Sequence, residues 1–170
     1  LIFAGENGVV HFNSLTLYES SSESTAPVTL NGEKKWELSI SNFPSEIKQL
    51  ILSGNIEIKA PWQTSLEIDD LWIGQGAEVS ITDNISLTVD DKLTNDGELL
   101  LNTGSLTTTV SNFTNNGKVT QTGTLTINGN FDSGDSDSTY ASVTLAPPTG
   151  GEVTVSGYGK IEKLTTSNAG

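Results

Sequence analysis

Two pairs of adjacent carboxylates pose the first chemical question. Asp69-Asp70 and Asp90-Asp91 stand at matching points of two similar segments. Leu66-Glu67-Ile68-Asp69-Asp70 runs to Gly76, and Leu87-Thr88-Val89-Asp90-Asp91 runs to Gly97, in gap-free alignment at a spacing of 21. In neighbouring coils of one sheet, four such groups would stack at about 5 Å. Like charges at that separation repel, so they splay into water or share a cation. Ca²⁺ is the cofactor that fits, because it takes hard oxygen ligands. Aspartates on one face also suggest glycoside hydrolysis. The chain has no Arg and no Gly-His-Gly, so no residue is assigned a catalytic role. A solvated acidic turn is the plainest reading of the four.

Aromatic side chains offer a second chemistry. Trp36, Trp62 and Trp72, with Tyr18, Tyr140 and Tyr158, could stack on sugar rings. Trp62 follows Pro61 in an expected loop, and Trp62, Trp72 and Tyr140 form the expected glycan contact. The competing reading makes the tryptophans end caps or core anchors. Asp132, Asp135 and Asp137 lie in a Gly/Ser-rich loop whose spacing matches no Ca²⁺-binding loop. Thr88, Thr107, Thr126 and Thr154 align into one outward rank. Flat double ranks of Thr can template ice. Here the neighbours Asp90, Thr109, Asn128 and Ser156 make the second rank mixed, so ordinary strand propensity accounts for it. His11, between Val10 and Phe12, has no partner at catalytic spacing and reads as structural.

These residues need a scaffold, and composition narrows it. The chain has 170 residues, of which 34% are apolar. Thr, Ser, Asn and Gly number 22, 20, 14 and 17. Eight basic residues, all Lys, oppose 21 acidic ones, for a net charge of −13. Such a chain is repelled by phosphate backbones and lacks the bidentate Arg of base readout, which argues against nucleic acid as a partner. Cysteine is absent, which excludes disulfides and thiolate metal sites. No apolar run is long enough to span a bilayer as a helix.

The scaffold is legible as a repeat. Leu93-Thr94-Asn95-Asp96-Gly97 and Phe113-Thr114-Asn115-Asn116-Gly117 are copies of one corner, each followed by a short alternating strand. Asn-Gly and Asp-Gly turn the chain cheaply because they tolerate positive φ. Further units start at Leu106 and Leu125, and Val153-Thr154-Val155 is a later echo. Three short strands per unit predict an all-β fold, a right-handed parallel β-helix (solenoid) with coils of about 19–21 residues. The alternative is an antiparallel β-sandwich. One domain is expected over 1–170, with loop or hairpin interruptions at 18–35 and 131–150. The chain reads as a fragment of a longer polypeptide or as a stacking subunit.

The L-T-N-x-G corners and T-G-S/T turns, clearest over 66–130, resemble the β-helical stalks of bacterial surface and secreted adhesins, of the filamentous-haemagglutinin and autotransporter-passenger kind. The resemblance implies a non-enzymatic, extracellular, structural or adhesive rod on a bacterial cell surface. It implies partners in the next coil of the same chain or in copies stacked end to end. It brings no site residue with it. A carbohydrate-binding module and a β-helical polysaccharide-degrading enzyme are the alternatives.

Overall fold

A computed structural model describes residues 2–3, 28–39, 47–59, 64–82 and 85–167. Its longer strands are Val28–Ser39, Ile47–Lys59, Thr64–Ile73, Glu78–Thr82, Ile85–Asn95, Glu98–Asn115 and Lys118–Ile127. Short ones are Ile2–Phe3, Phe131–Asp132, Thr139–Tyr140, Val143–Leu145, Val155–Ser156, Lys160–Ile161 and Leu164–Thr166. All fourteen belong to one sheet, and every pairing is parallel. Each segment pairs with the segment one coil on, which makes a β-solenoid of about five turns. Parallel pairing throughout the described residues sets aside the antiparallel sandwich.

Alternation drives the strands inward. Leu66, Ile68, Leu71 and Ile73 are buried, while Ser65, Glu67 and Trp72 between them are exposed. Equivalent residues of successive coils then stack. Leu66, Leu87, Thr108, Leu125 and Val143 form one inward ladder, and Ile68, Val89, Val110, Ile127 and Leu145 another. Fully burying one such aliphatic side chain is worth about 1.5–3 kcal/mol, so a narrow core suffices when every coil adds several.

The third inward ladder changes character along the rod. Leu50, Leu71 and Leu93 give way to Phe113 and Phe131. Phe113, Phe131 and Tyr140 make a buried aromatic cluster with ring centroids 5.2–6.4 Å apart. Beside it, Leu52 and Ile73 are succeeded by Asn95 and Asn115, both buried. The Asn95 amide donates to Asn115 Oδ1 at 2.8 Å and to the Lys118 carbonyl at 3.1 Å. The Asn115 amide reaches Ser138 Oγ, the Tyr140 hydroxyl and the Ser133 carbonyl. The interior amides are thereby satisfied, as burial demands.

The repeat is less even than the sequence suggests. The Asp69-Asp70 and Asp90-Asp91 pairs are not equivalent. Between Ile68 and Asp70 lies one residue, whereas between their partners Val89 and Lys92 lie two. Asp90-Asp91 is therefore a bulge, and Asp70 sits over Lys92. This bulge is also where the spacing falls from 21 to 20, because Val89 pairs with Val110 and Lys92 with Asn112. Leu106 does not match Leu125. Thr108 does, since four residues, 103–106, stand opposite the lone Gly123. Residues 131–150 hold three short strands, Phe131–Asp132, Thr139–Tyr140 and Val143–Leu145, in register with Phe113, Thr120 and Leu125, and the stretches 133–138 and 146–150 are loop. Of the 18–35 segment, residues 18–27 lie outside the described residues, while 28–35 belong to strand Val28–Ser39.

At the last described coil the core is open. Val155 stands over Phe131 and Leu164 over Val143, both inward positions, yet they are 44% and 52% exposed.

Candidate functional site

The outer face of the second strand in each coil carries the most distinctive surface. Its outward positions are set by the inward burial of Leu71 and Ile73 in one coil and Leu93 in the next. Asp70 and Trp72 therefore point out of the Thr64–Ile73 strand, and Lys92 and Thr94 out of the strand above. Trp72 is 44% exposed, a large apolar ring on the outer face. It pairs in register with Ile51 below and Thr94 above.

The corner of the next coil clamps the ring. The Asp96 backbone N–H bonds to the Ile73 carbonyl at 2.9 Å, placing its side chain beside the end of the Trp72 strand. The indole N–H of Trp72 then donates to Asp96 Oδ2 at 2.6 Å. Asn116, one coil further, donates from its amide to Asp96 Oδ1 at 2.8 Å. One carboxylate thus ties three coils together and fixes the plane of the indole. A groove of about 340 Å³ runs along the ring, lined by Gln49, Asp70, Lys92, Thr94, Asp96 and Asn116.

Electrostatics here are mixed in sign. Burial lifts the Asp70 carboxyl above the usual range, the Asp91 and Asp69 charges lift it further, and the Lys92 ammonium opposes them. The expected stack of four carboxylates does not form, because the bulge sets Lys92, not Asp91, in register with Asp70. Asp90 and Asp91 are exposed on the bulge, and the Asp91 carbonyl accepts a bond from the Asn112 amide at 3.1 Å. Among the described residues no group of three or more His, Cys, Asp or Glu side chains is placed to hold a metal ion.

The three expected glycan contacts do not come together. Trp72 lines the groove. Tyr140 is fully buried, because its ring closes the cluster with Phe113 and Phe131, so it has no face to offer a sugar. Trp62 and His11 lie outside the described residues. Trp36 pairs in register with Ile56. Asp132 is bound into the fold, its Oδ1 accepting from the Gly134 N–H at 3.0 Å. Asp135 and Asp137 are exposed.

Sequence reasoning missed Asp96, Lys92, Gln49 and Asn116. The signal for Asp96 was in the repeat itself: it occupies the N-D-G corner one coil on, 24 residues from Trp72. The threonine rank is also corrected. Thr88, Thr109, Thr126, Thr144 and Thr165 stack, with the Thr144 and Thr165 hydroxyls 2.9 Å apart. Thr107 belongs to the adjacent rank, paired with Thr124, and Glu67 bounds the Thr88 rank below.

No protein-family model, no curated protein and no solved structure matches the chain.

Proposed function

We propose that the chain is a non-enzymatic, extracellular rod segment of a bacterial surface protein, acting in adhesion. The observation that carries the reading is the coil stack itself. Parallel ladders connect every described coil to the next, and the side chains between them are mostly Thr, Ser and Asn on the outside. A narrow solenoid of this kind extends reach at little cost in core-forming residues. The strong negative charge suits a protein that must stay dispersed outside a cell. The exposed inward positions Val155 and Leu164 support coil-on-coil stacking, either by the same polypeptide or by a second copy.

The test is location and adhesion together. Immunogold labelling of intact source cells should decorate the outer surface, and beads coated with the purified chain should adhere to cells or to polysaccharide films. Labelling confined to the cell interior, or beads no stickier than albumin-coated ones, would overturn the proposal.

A further inference from the structure

The Trp72 groove carries an inference that rests on the adhesive reading and deepens it. We infer that the groove binds a pyranose ring of a neutral polysaccharide, with the Trp72 indole as its stacking platform and Asp96 as the residue that positions the ring.

Four features of the groove lead there. First, Trp72 leaves a large aromatic ring 44% exposed on the outer face of the sheet, where a ligand can reach it. Among the described residues the other exposed large apolar side chains are Leu100, on a different strand, and Val155, Tyr158 and Leu164, in the last described coil. Second, the ring is fixed before any ligand arrives. Its N–H is held by Asp96, and Asp96 is held by Asn116, so little side-chain freedom is lost on binding. Third, the lining mixes acceptors and donors. Asp70 and Asp96 present carboxylate oxygens, Lys92 an ammonium, and Gln49 and Asn116 amides. Sugar hydroxyls both donate and accept, and the C–H face of a pyranose matches an indole, so a polyol with one apolar face fits this set. The volume of about 340 Å³ lies at the small end of ligand sites, as expected for one or two sugar rings.

Fourth, charge selects among sugars. Two carboxylates flank the ring in a chain of net charge −13, which disfavours uronic acids and sulfated glycans. Lys92 in the same groove disfavours a cationic ligand over the indole. A neutral hexose or pentose polymer is the class left.

The experiment is affinity electrophoresis of the whole chain through gels containing soluble neutral polysaccharides (glucans, mannans, galactans, xylans), with pectate and alginate as acidic controls. At least one neutral polymer should retard the chain. Trp72→Ala should weaken that retardation about tenfold or more, with unchanged circular dichroism, since the ring points outward. Trp72→Phe should retain part of it. Asp96→Asn should weaken it while leaving Trp72 in place, and Tyr158→Ala should leave it unchanged. Retardation only by acidic polymers, retardation by none, or full retention by Trp72→Ala would each overturn the assignment. Beads carrying Trp72→Ala separate the two claims. If they adhere as well as wild type, the groove is wrong and the adhesive rod stands. If wild-type beads fail as well, the adhesive reading falls too.

Discussion

Asn115 shows how a single polar residue can be locked into this core. It accepts from the Asn95 amide and from the Gly117 N–H, and donates toward Ser133, Ser138 and Tyr140. Removing it strands several buried groups at once. Asn115→Ala should cost about 2–4 kcal/mol in urea unfolding, whereas Tyr140→Phe, which keeps the aromatic packing, should cost about 1–2 kcal/mol. A loss under 1 kcal/mol for Asn115→Ala would show that water replaces the network. The asparagines of the L-T-N-x-G corners were legible as turn formers, but not as core residues. Polar type and corner position both pointed outward in the sequence. Only the stacking of Asn95 on Asn115 shows that the side chain turns in while the following residue turns out. Tyr140 misled in the same way: beside an Asp- and Ser-rich stretch it looked like surface, yet the coil beneath supplies Phe113 as a floor.

At the scale of strands and corners, the corner glycines and the bulge have opposite tolerances. A Cβ on Gly117 would overlap the backbone of Gly97 directly below it, so this corner accepts no side chain. The Asp90-Asp91 bulge, in contrast, is an extra residue with none opposite it in either neighbouring coil. Deleting Asp91 should restore the neighbours' register and cost less than about 1 kcal/mol. Deleting Thr109 from the interior of strand Glu98–Asn115 should prevent folding, because a one-residue slip sends Thr108 and Val110 to the wrong face. Thermal melts of the two deletions, matched in length, decide this. The strands and corners themselves could be read from L-x-V/I alternation and N-x-G spacing. Their pairing register could not, because insertions at 90–91 and 103–106 offset each other's neighbours while leaving the motifs intact. The aspartate stack and the threonine rank drawn from a uniform period both failed for this reason.

Across the molecule, charge sets the response to pH. The chain carries −13 at pH 7, and Asp70 has a pKa raised above its ordinary 3.8, chiefly by burial and then by Asp91. A carboxyl with a raised folded pKa binds more protons folded than unfolded, so stability falls as pH rises through that window. Relief of self-repulsion acts in the same direction. The melting temperature should therefore rise as pH is lowered toward the ordinary carboxylate value of 3.8, and Asp70→Asn should flatten the rise. Tyr140 adds the alkaline limb: its pKa is pushed well above the ordinary 10.0 by burial, so stability holds below about 10 and declines beyond it. A melting temperature that falls as pH is lowered into that carboxylate range would contradict both arguments.

The interstrand bonds of this sheet run from coil to coil, along the axis of the stack. Tension applied through the two ends therefore loads those bonds head-on, and the coil at an end is held by one neighbour where an inner coil has two. Under load such a rod should pay out its length in discrete steps from the ends inward. Paired positions in adjacent coils are offset by 17 to 27 residues, as Thr108–Leu125 and Ile2–Thr29 show. Each step should then release roughly 50–90 Å of slack. A tether that lengthens in such steps limits the peak force on whatever it grips.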